Sequence, residues 1–295
     1  MKQKFLYLLM LVYLSALLAG CAAPETTPVP TTLVPEAAQP AAREKLILAT
    51  TTSTEDSGLL DFILPDFEEE YNCDVDVIAV GTGQAVQLGV DGNADVLLVH
   101  DRAKEDKFMN DGDGVRREDV MYNDFIVIGP EDDPAGIKGL TSVVDVFRKI
   151  KESESPFVSR GDDSGTHSRE LSFWKAAGIE PSGDWYISAG QSMGVVLTMA
   201  DEMNAYTLSD RATYLARTLE GIKLVILTEG DPLMFNPYGV LAVDPSKSSN
   251  INDEMAQKFI DWIISVPVQT NIAEFGKDKF GQGLFVPNST LWKNK

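Results

Sequence analysis

The stretch Phe157-Val158-Ser159-Arg160-Gly161-Asp162-Asp163-Ser164-Gly165-Thr166-His167 passes from a short apolar run into a small polar loop. The apolar run predicts a buried strand that ends at Ser159, and a helical pattern of apolar residues follows the loop. Ser164 or Thr166 is a suitable N-cap for that helix. A strand that leads directly into a helix in this way is typical of α/β proteins.

The same loop has the chemistry of an anion site. A helix N-terminus presents unpaired backbone N–H groups and the positive end of the helix dipole. Arg160 beside these groups would complete a cage for a small oxyanion. The alternative is an ordinary capped turn with an arginine that faces solvent, and this stretch alone does not decide between the two.

A second turn of this kind lies near the start of the predicted globular body. Lys45–Thr50 predicts the first strand, and the run Thr51-Thr52-Ser53-Thr54 opens the helix that follows. Glu55 and Asp56 form capping boxes with the second and third residues of that run. The run holds more hydroxyl groups than one cap requires, which favours a ligand contact. Pro65 predicts an interruption of the helix.

A third turn follows the second predicted strand, Val75–Val80. In the sequence Gly81-Thr82-Gly83, the last glycine would let the backbone approach a ligand, and Thr82 offers a hydroxyl and an N–H. Asp95–His100 predicts a short central strand. His100 at its end is either a hydrogen-bonded strand-end residue, the commoner role for a single histidine, or part of a site.

Strands and helices alternate along the rest of the body. Further strands are predicted at 121–129, 185–189, 204–208, 224–227 and 236–243, and Ser209 is the predicted cap of the helix after the third of these. This alternation predicts an α/β fold with mostly parallel sheets. Ligands of such sheets bind at the carboxyl ends of the strands, where all three hydroxyl-rich turns are expected to lie.

The N-terminus has the pattern of an export signal. Residues 1–20 combine a basic start with an apolar run that is short for a membrane span, and they predict a secretory signal peptide. Leu18-Ala19-Gly20-Cys21 is similar to a bacterial lipobox, so Cys21 is the expected lipid attachment site; the alternative is an ordinary secretory peptide with an incidental cysteine. Residues 21–43 are rich in Pro, Thr, Ala and Glu and predict a disordered tether. The expected location is extracytoplasmic, anchored to the cell membrane as a lipoprotein.

The remaining body is long enough for one large or two modest domains. The net charge of −20 argues against nucleic acid and against anionic membrane surfaces as partners. With two cysteines and two histidines in the chain, no disulfide framework and no Cys-rich or His-rich metal site is expected. An anion site in so acidic a protein would have to depend on local donors.

Four stretches together resemble the type II periplasmic-binding proteins of ABC importers, and most closely the tungstate-binding proteins among them. They are spread over nearly the whole body: Thr50–Leu60, Met121–Phe125, Ser159–His167 and Asn236–Tyr238. Arg160 with Ser164-Gly165-Thr166 also has the spacing of the anion-binding loop of phosphate-binding proteins. Molybdate-binding proteins are similar in placing hydroxyl residues at the positions of Ser53 and Thr82.

The resemblance implies two lobes joined by two crossing strands, with a tetrahedral oxyanion buried between them. Lobe one would comprise residues 44–123 and 238–295, and lobe two residues 124–237, with crossings near 122–126 and 236–240. It implies a permease partner in the membrane, no cofactor, no bound metal cation and a monomeric protein. The implied ligand-binding residues are Ser53 and Thr82 from lobe one and Arg160, Ser164 and Thr166 from lobe two, with Thr52, Thr54 and Gly165 as weaker candidates.

Tungstate suits such a site because it is a dianion with four acceptor oxygens and no proton at neutral pH, so every protein contact should be a donor. Molybdate has nearly the same size and charge, and the sequence does not separate the two. Phosphate often carries a proton at neutral pH, and a site for it benefits from a carboxylate acceptor. Because Asp101 could be that carboxylate, phosphate remains an alternative ligand. Sulfate or another anion on the same scaffold is a further alternative. Asp162 and Asp163 are expected to orient Arg160 or to cap neighbouring turns.

The rival class is an enzyme. Asp163-Ser164-Gly165 resembles the serine of a hydrolase, and His100 would then be its base. The pattern Gly-x-Ser-x-Gly does not occur, and two histidines allow few catalytic triads. We therefore expect a binding protein without catalytic activity.

Overall fold

Strands and helices alternate along residues 42–295, the part of the chain that this computed structural model describes. The strands are β1 Glu44–Thr51, β2 Cys73–Val80, β3 Val96–Val99, β4 Gly114–Gly129, β5 Phe157–Ser159, β6 Tyr186–Ser188, β7 Thr207–Asp210, β8 Val225–Thr228, β9 Phe235–Val243 and β10 Val286–Pro287. The helices are α1 Thr52–Asp56, α2 Leu59–Tyr71, α3 Thr82–Val90, α4 Arg102–Asn110, α5 Val143–Ser153, α6 Gly165–Ala177, α7 Met193–Met203, α8 Arg211–Thr218, α9 Asp253–Ile263, α10 Val266–Glu274, α11 Lys277–Phe280 and α12 Thr290–Lys293.

The main sheet is mixed, which corrects the expectation of mostly parallel sheets. β1 pairs in parallel with β2 and β3, and β5 pairs in parallel with β6. β9 is antiparallel to β3 and β4, and β10, β7 and β8 are also antiparallel to β4. The reason lies in the long strand β4. It pairs with β9 and β10 along its first part and with β7 and β8 at its end, and all four of these neighbours run in the opposite direction.

Three local expectations differ from the structure. α2 continues through Pro65, because Pro65 and Asp61 both lie on the exposed face and water can bind the carbonyl that loses its partner. Thr51 caps α1, accepting a hydrogen bond from the N–H of Thr54, so Thr52 is the first helical residue rather than a cap. Asp210, not Ser209, caps α8.

The buried apolar side chains form separate clusters within one compact unit, residues 42–295. In one cluster the ring of Phe67 on α2 lies 5.2 Å from the rings of Phe259 and Trp262 on α9. In another, Trp174 on α6 lies 4.4 Å from Phe147 on α5. Burial of these large aromatic rings fixes α2 against α9 and α6 against α5. The helix that follows the β5–α6 turn is therefore held on a rigid support.

The predicted signal peptide, Cys21 and the predicted tether up to residue 41 lie outside the described residues. Arg43, which the sequence assigns to the tether, pairs with Asp74 at 2.6 Å and donates to the carbonyl of Glu68 at 2.9 Å. The folded body thus begins slightly before β1. Within the described range, every helix is too short or too polar to span a membrane.

Candidate functional site

The N-terminus of α6 lies directly after β5 and the polar loop. Ser164 is the N-cap, as expected, and its Oγ accepts a hydrogen bond from the N–H of His167 at 3.1 Å. Gly165 and Thr166 form the first helical positions. Thr166 is buried, and its Oγ1 has no hydrogen-bond partner among the described residues. A buried hydroxyl without a partner is rare in proteins, so this end of the helix is a candidate ligand site.

Arg160 is a buried cation at the same turn, with only 2% of its side chain exposed. Its Nε donates to the carbonyl of Gln191 at 2.8 Å, and its Nη2 donates to Thr52 Oγ1 at 3.2 Å. Nη2 also contacts the carboxylate of Asp162. The guanidinium is therefore held in one orientation between the α6 turn and α1. Thr52 accepts a bond from Arg160, so its own hydroxyl proton can serve another partner.

Asp162 and Asp163 have different roles in the loop. Asp162 binds Arg160 and accepts the N–H of Ser164 at 3.2 Å, which confirms the expectation that it orients the arginine. Asp163 has a φ of 57° and is exposed; its carboxylate pairs with Lys104 Nζ at 3.0 Å. The loop thus carries one inward carboxylate, which partly neutralises the buried arginine.

The hydroxyl run at the start of α1 divides its contacts. Thr52 faces Arg160, and Ser53 Oγ lies 3.1 Å from His100 Nε2. Thr54 Oγ1 lies 2.7 Å from Thr51 Oγ1, within the helix cap. Ser53 and Thr52 therefore border the site, whereas Thr54 is engaged by its own turn.

Thr82, the first residue of α3, meets the N-terminus of α6. Its Oγ1 accepts the N–H of Gly165 at 2.7 Å. A Cβ added to Gly165 would lie 3.0 Å from the His100 ring and 3.1 Å from Thr82 Oγ1, so the close approach of α6 to these two side chains requires glycine here. The structure therefore brings together Ser53, Thr82 and Gly165 around His100.

His100 is a fully buried residue at the end of β3. Its Nε2 contacts Ser53, and its Nδ1 lies 2.9 Å from Asn236 Oδ1. The ring stacks on Tyr238 with centroids 4.7 Å apart. Burial lowers the pKa of His100 to about 4, so the ring is neutral at neutral pH. The interpretation of a hydrogen-bonded strand-end histidine is confirmed, although its partner is a candidate ligand residue.

Sequence reasoning missed the polar residues behind His100. Asn236 Nδ2 donates to Asn123 Oδ1 at 2.7 Å, and Asn123 Nδ2 contacts Asp210 Oδ1 at 3.4 Å. Thr213 Oγ1 donates to the carbonyl of Ser53 at 3.1 Å. The available signal was the placement of Asn123 and Asn236 inside apolar strands, since a buried polar side chain requires a partner.

Asp101 faces its own helix. It caps α4, accepting the N–H of Lys104 at 3.2 Å, and it pairs with Lys104 Nζ at 3.3 Å. Its carboxylate is thus engaged in capping and pairing at α4. In residues 42–295 no group of three or more His, Cys, Asp and Glu side chains could hold a metal ion.

The pairing expected for a hydrolase is not formed. Ser164 Oγ caps α6, and His100 Nε2 contacts Ser53 instead. Ser53 and His100 are respectively 2% and 4% exposed, so this pair is closed off from solvent in the present conformation.

The chain matches the PBP superfamily domain over residues 27–267 and belongs to that superfamily, with the two-lobed α/β architecture of type II periplasmic-binding proteins. Among its relatives is the tungstate-binding protein TupA of Peptoclostridium acidaminophilum, which is 48% identical over 291 residues, or 98% of this chain and 99% of that protein. The tungstate-binding protein TupA of Campylobacter jejuni is 40% identical over 227 residues, or 76% of this chain and 84% of that protein.

The chain is also similar to solved structures of a tungstate ABC transporter and of a tungstate-binding protein. The crystal structure of the tungstate ABC transporter from Geobacter sulfurreducens is 50% identical in sequence, with a TM-score of 0.73, and the match covers 79% of this chain and 99% of that one. The tungstate-binding protein TupA from Desulfovibrio alaskensis is 41% identical, with a TM-score of 0.69, over 83% of this chain and 99% of that one.

Proposed function

We propose that this chain is the extracytoplasmic binding protein of an ABC importer, which captures tungstate between its lobes and delivers it to a membrane permease. The observation that carries the proposal is the buried Arg160 beside the N-terminus of α6, where Thr166 Oγ1 is a buried donor with no partner within residues 42–295. Two relatives that are named tungstate-binding proteins and match 98% and 83% of the chain support the choice of ligand.

The donor set matches a dianion that can only accept hydrogen bonds. A guanidinium, hydroxyl groups and the N–H groups of a helix N-terminus all donate, and charge-assisted bonds of this kind are the strong ones. Thr54 is the weakest candidate, because its hydroxyl already bonds to Thr51. The proposed ligands are Ser53, Thr82, Arg160, Ser164 and Thr166, with Thr52 and Gly165 at the edge of the site.

The proposed lobes are residues 44–123 with 238–295, and residues 124–237. Direct contacts already join these two groups: Gly165 N to Thr82 Oγ1 at 2.7 Å, and Lys104 Nζ to Ser168 Oγ at 2.9 Å. An anion between the lobes would add bonds that exist only when they are closed, and so would favour the closed state. A permease could sense that closure in a monomeric binding protein.

The lipobox-like sequence at Cys21 supports a lipid anchor for the exported protein. Acylation there would keep the binding protein at the membrane that holds its permease. Incorporation of labelled palmitate into the chain in its own cells tests this anchor, and an unlabelled chain would reject it.

The test of ligand identity is calorimetric titration with tungstate, molybdate, sulfate and phosphate, singly and in competition. We expect the wild-type chain to bind tungstate. Arg160→Ala should weaken tungstate binding by about a hundredfold or more, because a buried charged contact is lost. Arg148→Ala is the matched control: Arg148 is an exposed arginine on α5, so this variant should bind tungstate with unchanged affinity.

Near-native affinity in Arg160→Ala would contradict the assigned site. Tighter binding of phosphate or sulfate than of tungstate would show that the ligand is wrong while the scaffold assignment stands. Labelling of Ser164 by a serine-directed inhibitor, with turnover of an ester, would favour an enzyme instead.

A further inference from the structure

Ser53 and five other buried polar residues form a closed circuit of hydrogen bonds that joins α1, β3, β9, β4, β7 and α8. Each is at most 4% exposed. The bonds run from Ser53 Oγ to His100 Nε2 (3.1 Å), His100 Nδ1 to Asn236 Oδ1 (2.9 Å), Asn236 Nδ2 to Asn123 Oδ1 (2.7 Å), Asn123 Nδ2 to Asp210 Oδ1 (3.4 Å), Thr213 N to Asp210 Oδ1 (2.9 Å) and Thr213 Oγ1 to Ser53 O (3.1 Å).

The circuit has a fixed direction, which Asp210 sets. Burial raises the pKa of Asp210 to about 6, so above neutral pH it is a carboxylate that only accepts. Asn123 must then turn its amide nitrogen towards Asp210 and its oxygen towards Asn236. Asn236 in turn presents its oxygen to His100, which therefore has to donate from Nδ1.

This direction determines what Ser53 can do. In a neutral imidazole, a proton on Nδ1 leaves Nε2 as an acceptor. Ser53 therefore donates its single hydroxyl proton to His100 and can offer only lone pairs to other groups. A bare dianion next to those lone pairs would be repelled, although Ser53 is one of the proposed ligands.

We propose that the site captures the dianion together with one proton, which binds Nε2 of His100 and frees the Ser53 hydroxyl to donate to the anion. This inference rests on the proposed function, since it concerns the same oxyanion site. The proton comes from solvent and forms an N–H bond at Nε2. The N–H then donates to Ser53 Oγ, while His100 Nδ1 keeps its bond to Asn236. His100 is thus a positioning residue for Ser53.

The charges around His100 fit a proton that binds only with the anion. Burial holds the pKa of the free side chain near 4; Asp101 favours the charged ring, and Arg160 and Arg169 oppose it. The other ring neighbours, Tyr238 and Phe125, carry no charge at neutral pH, and Asp210 acts from the far end of the circuit. A dianion beside Ser53 would offset the two arginines and favour the imidazolium.

The sign of the pH dependence follows from linkage. Because the anion raises the pKa of His100, tungstate affinity should fall as pH rises through the window between the free and the bound pKa. The fall is at most about tenfold per pH unit for one linked proton. Titration at about pH 7.5 with tungstate, in buffers of different ionisation enthalpy, should show uptake of more than about half a proton.

His100→Gln keeps a hydrogen-bonding side chain that cannot titrate, so it should bind tungstate without proton uptake and with little change of affinity between about pH 7 and 9. His167→Gln is the matched control. His167 is the other histidine of the chain, and this variant should keep the uptake of the wild type. Proton uptake by His100→Gln equal to that of the wild type would overturn the inference.

Nuclear magnetic resonance of the wild type decides the question without relying on a variant that folds poorly. The two histidines give separate ring signals, and His167→Gln assigns them. His100 should be neutral with its proton on Nδ1 in the free protein and doubly protonated with tungstate bound. Tungstate binding with a neutral His100 rejects this inference alone, whereas no tungstate binding by the wild type rejects the proposed function and the inference with it.

Discussion

Arg160 and Ser164 donate to the carboxylate of Asp162, and these are two of the donors that we propose for the anion. The carboxylate offsets the buried arginine while no anion is bound. It also places a negative charge next to any dianion that enters. One side chain therefore stabilises the free protein and opposes the ligand.

Asp162→Asn should separate these two effects. The amide keeps the oxygen that accepts the N–H of Ser164 but removes the negative charge. We expect tungstate to bind about tenfold more tightly and the free protein to lose roughly 3 kcal/mol of unfolding free energy, since the buried Arg160 loses its counter-charge. Calorimetry and urea unfolding measure the two quantities.

Asp163→Asn is the control for that experiment. Asp163 lies in the same loop with φ of 57°, which asparagine tolerates, and its side chain is 74% exposed. Affinity and stability should change little in this variant. A loss of affinity in Asp162→Asn would show that orienting Arg160 matters more than removing the repulsion.

At the scale of elements, α6 combines the candidate site at one end with a buried acid on its inner face. Glu170 Oε1 accepts hydrogen bonds from Trp174 Nε1 at 2.9 Å and from the hydroxyl of Tyr186 at 2.8 Å. Burial raises the pKa of Glu170 to about 7 from an ordinary value of 4.5, although these bonds favour the ionised form. The helix is therefore anchored by a carboxyl group that is most stable when protonated.

The stability of the protein should reflect this acid. Because the pKa of Glu170 is raised in the folded protein, the contribution of this residue to stability is fully present below about pH 4.5 and is lost as the pH rises through about 7. The free energy of unfolding falls by about 3 kcal/mol over this range. Glu170→Gln keeps the acceptor oxygen without the charge, so it should be more stable than the wild type by about 1–3 kcal/mol at about pH 8 and equal to it near pH 5. Urea unfolding at both pH values measures this; a variant that is less stable at the higher pH would contradict it.

Elements also show where local sequence signals were sufficient. The Ser164 cap follows from residues within a single turn, and the structure has it as expected. The continuity of α2 through Pro65 cannot be predicted from neighbouring residues, because it depends on which face of the helix packs against the core. The antiparallel partners of β4 likewise depend on strands that are distant in sequence.

At the scale of the whole molecule, the net charge of −20 opposes the approach of any anion. Salt screens this long-range repulsion but acts less on buried donors. The association rate constant of tungstate should therefore rise several-fold between about 10 and 200 mM sodium chloride, the reverse of ordinary electrostatic steering. Stopped-flow tryptophan fluorescence measures it, and potassium chloride at equal ionic strength is the control. A rate that falls with salt would show that the local field at Arg160 dominates the approach.

The sequence by itself determined the α/β class, the three strand-to-helix turns and the residue types gathered at them, because caps, strands and helix starts depend on neighbours a few positions apart. Only the tertiary structure decided the mixed sheet and the partners of the site residues. The bonds from His100 to Asn236, from Asn236 to Asn123 and from Thr213 to Ser53 join residues 136, 113 and 160 positions apart. A single sequence carries no local signal for such contacts, since each depends on how separate strands and helices come to pack together.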